Sequence, residues 1–222
     1  MVIGFIGSGN IGQILARQVI AAGHEVVMSN SRGPKTLAPL IAALGPKARA
    51  ATADQAASAG ELVVVAIPFR NVAQVPVEPL ADKVVIDVSN YYPPRDGHIA
   101  VIDKGDKASS EVLAAHLPTS KIVKAFNAIM AADIAEHASP PGTPRRRAIP
   151  IAGDDEHAKG IVAALIDQIG FDTVDVGSLI DGRSIEATDA WGPALDAGEL
   201  RTLMDTRTRK PSEGPSAGRL GL

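Results

Sequence analysis

Cysteine is absent from the 222 residues, so disulfides, a thiolate nucleophile and any cysteine-based metal site are excluded. Aromatic residues make up only 3% of a chain that is 45% hydrophobic, so the core must be built from small and β-branched side chains. That mixture suits helices packed closely on a parallel sheet. No hydrophobic run approaches the roughly 18 residues that a membrane span requires. A net charge of -3 lacks the basic footprint of a nucleic-acid binder. No basic segment and apolar leader precede the first strand-like run, so a soluble, cytoplasmic protein without membrane partners is expected. His24, His98, His116, His137 and His157 are scattered without metal-ligand spacing, so no metal is expected, and no Walker-type phosphate loop occurs.

What is present is alternation. Short runs rich in Val and Ile at 2–6, 25–29, 62–67, 83–88, 122–126, 148–152 and 173–176 read as strands, with a weak one at 48–51. Blocks such as Leu62-Val-Val-Val-Ala-Ile67 are apolar throughout, as strands covered on both faces must be. Helical stretches at 11–22, 36–44, 52–59, 111–116 and 156–169 lie between them. The order predicts an α/β fold, a doubly wound parallel sheet of the Rossmann NAD(P)-binding type with a small C-terminal α/β extension. Residues 1–137 form the dinucleotide-binding domain in this scheme. Residues 138–207 form a smaller α/β region completing the crevice or a dimer, and 208–222 a flexible tail. Within the second part, Ala138-Ser-Pro-Pro-Gly-Thr-Pro-Arg-Arg-Arg147 reads as an exposed, solvated loop.

Gly7-Ser-Gly-Asn-Ile-Gly12 matches G-x-G-x-x-G, and its setting between an apolar strand and a helix raises it above a chance match. Gly7 permits a tight turn, Gly9 lets a pyrophosphate approach the backbone, and Gly12 allows close helix–strand packing. Ser8, Asn10 and Ile11 frame the pocket, with the helix N-terminus aimed at the phosphates. A strand–helix turn without ligand is the plainer alternative. An NAD site places Asp or Glu at the end of the second strand to hold the ribose hydroxyls, and this chain reads Ser29-Asn-Ser-Arg32 there. A carboxylate repels a 2′-phosphate, whereas Ser29, Asn30, Ser31 and above all Arg32 can donate hydrogen bonds to one. NADP(H) is therefore the expected cofactor, against the alternative that Arg32 is a surface residue beside a turn.

Ligands of doubly wound sheets sit outside the carboxyl ends of the strands. Ile67, Pro68 and Phe69 offer an apolar wall there, and Ser89, Asn90 and Asn127 offer neutral hydrogen bonds. Asp87 lies in an apolar strand and reads as structural rather than as a proton carrier. Lys124 either polarises a substrate carbonyl or snorkels from a strand end. Trp191 begins a C-terminal helix that covers the crevice, packs in a dimer or anchors the core.

Together, Gly4-Phe-Ile-Gly-Ser-Gly-Asn-Ile-Gly12, Ser29-Asn-Ser-Arg-Gly-Pro34, Ala66-Ile-Pro68, Asp87-Val-Ser-Asn90 and Val123-Lys-Ala-Phe-Asn127 resemble the NADPH-dependent coenzyme F420 reductase (F420H2:NADP oxidoreductase) family and its bacterial relatives. The resemblance spans about residues 1–180. It implies direct hydride transfer between nicotinamide and a stacked deazaflavin or flavin ring, a small-molecule acceptor, with the protein supplying proximity, orientation and water exclusion. It implies a homodimer, with Ser89, Asn90, Asn127 and Lys124 as positioning groups and Pro68, Phe69, Asn127, Ile129 and Met130 on the acceptor side. Reduction of a small carbonyl or imine, with Lys124 as proton donor, and a non-catalytic NADP(H) sensor are the alternatives.

Overall fold

The computed structural model describes residues 1–186 and 193–208. Trp191 and the tail after 208 lie outside the described residues. Eight strands form one sheet in the order β3-β2-β1-β4-β5-β6-β7-β8. They are β1 (Val2–Ile6), β2 (Glu25–Ser29), β3 (Ala48–Ala50), β4 (Leu62–Val65), β5 (Val84–Asp87), β6 (Lys121–Lys124), β7 (Ala148–Gly153) and β8 (Asp172–Asp175). The described helices are α1 (Asn10–Ala21), α2 (Ala38–Leu44), α3 (Ala53–Ala59), α4 (Pro93–Asp96), α5 (Ala100–Asp103), α6 (Ser109–His116), α7 (Ala131–Glu136), α8 (Glu156–Gln168) and α9 (Ala197–Thr208). Among the described residues no helix is long and apolar enough to cross a membrane.

The apolar block of β4 shows why the sheet is covered on both sides. Leu62 and Val64 join one core cluster with Leu15, Val19 and Ile86. Val63 and Val65, pointing the other way along the pleat, join a second with Phe69, Val85 and Leu113. Helix α1 buries Gly12, Leu15, Ala16 and Val19, a single stripe at helical spacing. Helix α3 starts at Thr52, whose hydroxyl accepts from the backbone N–H of Gln55 while the Gln55 side chain returns a bond to the Thr52 N–H. The expected helix over 36–44 divides into a 3-10 turn, Pro34–Leu37, and α2.

Strands β1 to β6 are parallel, as the alternation predicts. Strand β7 reverses, pairing antiparallel with β6 through Val123↔Gly153 and Lys124↔Ala152 only, while β8 runs parallel to β7. The reason is the connection: the chain turns back at the carboxyl edge through the six-residue α7 instead of crossing the sheet behind a long helix. The first four residues of β7 thus project beyond the end of β6, and the β7–β8 pair overhangs the carboxyl edge where ligands of this architecture bind.

The arginine run departs from the expected solvated loop. Residues 140–145 are exposed, but Arg146 and Arg147 are 4% and 5% exposed. Arg146 donates to Asp167 Oδ1 at 2.5 Å, Asp172 Oδ1 at 2.9 Å and the Ser139 carbonyl at 3.0 Å. Arg147 donates to Asp133 Oδ2 at 2.7 Å and sits 2.6 Å from His137 Nδ1. These guanidiniums fasten the reversing connection to α7 and α8. A composition rule about charge runs misses them because the acids they meet are distant in sequence.

Candidate active site

The glycine turn divides its labour as sterics require. Gly7 has φ +109°, and a Cβ there would lie 2.2 Å from the carbonyl oxygen of Ala66. A Cβ on Gly12 would lie 2.6 Å from the carbonyl oxygen of Gly7. These two let β1, β4 and α1 approach. Gly9 differs, since a Cβ there would meet nothing within 4 Å among the described residues and its backbone is ordinary extended chain. It caps α1 with no side-chain hydrogen bond, and no acid occupies the first turn. The start of a twelve-residue helix is thus left bare for an anion, in a cradle that a methyl group would partly fill. Gly9 and Asn10 are exposed and Ser8 and Ile11 half-buried around it. Ser8 offers its carbonyl to Gln13 Nε2 at 2.8 Å, which fixes the loop. The residues present fit a dinucleotide pyrophosphate.

At the end of β2, Ser29 is fully buried and its hydroxyl donates to the Phe5 carbonyl at 2.8 Å. It shapes the strand end and is spent there, which corrects the expectation that it contacts cofactor. Asn30 Oδ1 accepts from the Arg32 N–H at 3.0 Å, and Asn30 Nδ2 donates to Thr36 Oγ1 at 2.9 Å. Asn30 is therefore an Asx-turn residue that organises the loop. Gly33, at φ +90°, completes the turn. Ser31 and Arg32 are exposed, and no ion pair of the Arg32 guanidinium occurs among the described residues. Thr36, which the sequence gives little reason to select, ties the turn together. A carboxylate-free, donor-bearing loop beside a bare helix start fits a 2′-phosphate.

The ring end is built differently. Ile67 and Pro68 are half-buried, but Phe69 is 1% exposed and packs edge-to-face on Tyr91, with ring centroids 5.7 Å apart. Phe69 is a core residue beneath the loop, not part of its wall. Ile129 is 4% exposed and also lies in the core, whereas Met130 is 58% exposed. Asn90 Nδ2 donates to the Asn127 carbonyl at 2.8 Å, and Asn127 Nδ2 donates to the Ile185 carbonyl at 2.8 Å. Asn127 Oδ1 is buried with no hydrogen-bond partner among the described residues. An unpaired buried acceptor costs about 1–3 kcal/mol, so this atom marks where a donor is wanted.

Below these amides lies a closed polar network. Lys124, Asp87, Ser109 and Ser110 are 0% exposed and Ser89 5%. The Lys124 ammonium donates to Asp87 Oδ2 at 3.3 Å, the Ser89 carbonyl at 3.1 Å, Ser109 Oγ at 3.1 Å and Ser110 Oγ at 3.0 Å. Glu186 Oε1 lies 3.5 Å away and accepts from Ser109 Oγ at 2.6 Å. Asp87 Oδ1 accepts from the Ser89 hydroxyl at 2.6 Å and its N–H at 2.9 Å, while Oδ2 accepts from Ser110 at 2.6 Å. Burial alone would lower the Lys124 pKa, but Asp87 and then Glu186 outweigh it and raise it above the ordinary lysine value. Lys124 is thus a fixed cation inside the fold, neither a snorkelling strand end nor a group open to substrate. Ser89 likewise spends its hydroxyl on Asp87. Ser109, Ser110 and Glu186 escaped sequence reasoning because their roles depend on meeting Lys124 across the fold.

Comparison with known proteins agrees with this geometry. The family model described as NADP oxidoreductase, coenzyme F420-dependent, matches residues 2–91. Metalloreductase STEAP3 of Rattus norvegicus is 32% identical over 187 residues, 83% of this chain and 36% of that protein. Metalloreductase STEAP2 of Homo sapiens is 29% identical over the same length. The chain spans about a third of the length of these curated relatives, at 36% and 35%. The solved structure of a hypothetical protein from Sinorhizobium meliloti is 30% identical with a TM-score of 0.71, covering 89% of this chain and 93% of that one. A candidate F420-dependent NADP reductase from an Arthrobacter species shares the fold at 23% identity, with a TM-score of 0.69 and coverage of 92% and 90%. With the glycine cradle, the acid-free turn after β2 and the parallel sheet in agreement, residues 2–91 match the family of coenzyme F420-dependent NADP oxidoreductases.

Proposed function

We propose that this chain passes hydride between NADPH and a deazaflavin or flavin-like ring of the coenzyme F420 type. The observation that carries the choice of acceptor is the state of Lys124. Reduction of a carbonyl or imine needs a proton donor, and the one lysine suited by position is fully buried and committed to Asp87, Glu186 and two serines. Ring-to-ring transfer has no such need, because the charge left on the acceptor spreads into its heterocycle.

NADPH supplies the hydride from its nicotinamide. The chain's part is positional. Gly9 and the bare start of α1 receive the pyrophosphate, and Ser31 and Arg32 on the Asn30 turn receive the 2′-phosphate. Half-buried Asn90, braced by its bond to the carbonyl of the buried Asn127, offers its amide oxygen to a carboxamide or pyrimidine edge. Ile67, Pro68 and Met130 offer apolar surface beside them. The β7–β8 overhang lies at the carboxyl edge of the sheet beside them.

The test is to follow loss of NADPH and NADH absorbance with F420, its riboflavin-like precursor, FMN, FAD and small ketones as acceptors. Turnover with a deazaflavin or flavin and preference for NADPH are expected. Turnover confined to ketones would overturn the acceptor, and preference for NADH would overturn the cofactor.

A further inference from the structure

The loops after β4 and β5 flank the ring end of the crevice, and one carboxylate joins them. The Asp96 side chain is 0% exposed. Its Oδ1 accepts from the backbone N–H of Arg70, in the turn that follows Ile67 and Pro68, at 3.2 Å. Its Oδ2 accepts from the backbone N–H of Tyr92, two residues past Asn90, at 2.9 Å. Arg95 fills both oxygens, donating through Nε at 2.9 Å and Nη2 at 2.7 Å, and the same Nη2 donates to the Asn90 carbonyl at 2.5 Å. The bracket closes from the other side, where Arg70 Nη1 donates to the Arg95 carbonyl at 2.9 Å. The guanidinium of Arg95 lies 5.0 Å from the centre of the Tyr92 ring.

We infer that Asp96 is a positioning residue for the nicotinamide half of the cofactor, acting as a clamp that sets the separation between the Ile67–Pro68 wall and Asn90. It rests on the NADPH assignment above. A four-residue helix such as α4 has too few internal hydrogen bonds to hold that spacing alone, so tertiary bonds from a buried carboxylate must do it. The carboxylate accepts from backbone on both loops, so loop sequence can vary while the gap is kept. Asp96 touches neither cofactor nor acceptor in this arrangement; it acts through Pro68 and Asn90. A misplacement of such walls by about 1 Å costs transfer about a hundredfold in rate.

The test compares two ligands by calorimetry. NADPH fills both halves of the site, whereas 2′,5′-ADP fills only the phosphate half and never reaches the clamp. Asp96→Asn is expected to weaken NADPH by about fivefold, since ordering of the ring site is no longer prepaid, while 2′,5′-ADP is unchanged. Arg95→Gln, which keeps the two backbone bonds and releases the Asn90 carbonyl, is expected to give the same selective loss and decides the matter if the first variant fails to fold. Equal weakening of both ligands would mean general loosening and overturn the clamp, as would no change in either. A wild-type chain that binds neither ligand overturns both the clamp and the NADPH assignment, which separates the two failures.

Discussion

The phosphate end and the ring end of the crevice stand in opposite electrostatic states. At the first, Gly9, Asn10, Ser31 and Arg32 are exposed, and donors face outward. At the second, Asp87, Lys124, Ser109 and Ser110 are shut in and satisfy one another. One end spends its polar groups on a ligand that brings its own charge; the other spends them on rigidity, because a transferring hydride needs aligned walls more than it needs charge. The contrast also separates two kinds of mutational damage, loss of binding and loss of fold.

The largest effect should come from the closed end. Lys124→Met leaves Asp87 and Glu186 facing each other without a cation, and breaking a buried pair costs about 3–5 kcal/mol, read by chemical denaturation. A stability loss below 1 kcal/mol would mean that the network is not what fixes this end. Next, Arg32→Ala should leave stability unchanged and weaken NADPH by about 1.5–3 kcal/mol while sparing NADH; equal loss for both nucleotides would remove Arg32 from the phosphate site. The glycines sharpen the comparison within one loop. Gly7→Ala forces a left-handed backbone and a collision, so it should cost about 1–3 kcal/mol of stability. Gly9→Ala should cost at most about 1 kcal/mol of stability, the penalty of alanine at a helix N-cap, and weaken NADPH by about tenfold, near 1.4 kcal/mol. A larger stability loss for Gly9→Ala would contradict the open space around it.

The smallest effect is with pH. The Lys124 pKa is raised above 10.5, so its contribution to stability is complete below 10.5 and is lost as pH rises through the higher folded value. Denaturation profiles of wild type and Lys124→Met should therefore run parallel through neutral pH and converge only in strong alkali. For Asp96, burial works to raise the pKa, but bonds from Arg95, Tyr92 and Arg70 prevail and lower it below 3.8. Its contribution is present above 3.8 and is lost as pH falls through the lower folded value, so Asp96→Asn should differ from wild type at neutral pH and less in strong acid.

The parallel sheet was legible because its strands are apolar on both faces, and α1 because its punctuation, Gly7 to Gly12, is local. The candidate phosphate site could be read locally for the same reason, with its proposed groups inside two short stretches. Local reading went astray where partners lie far apart in sequence. Arg146 and Arg147 read as solvent-facing until Asp133, Asp167 and Asp172 come to meet them. Lys124 had no assignable role without Ser110, 14 residues earlier, and Glu186, far beyond it. Phe69 and Ile129 read as walls from sequence because hydrophobic character states that a side chain is buried, but not on which side of a loop. The reversal of β7 left no mark in composition, since a strand carries no record of its direction.

The empty space around Gly9 bears on how this loop would change over evolutionary time. Gly7 and Gly12 are held by the fold itself and would persist in any descendant that keeps the sheet. Nothing in the packing holds Gly9, so only selection for the bound dinucleotide can. A lineage that kept this fold but abandoned redox chemistry would show it first as drift at that one codon.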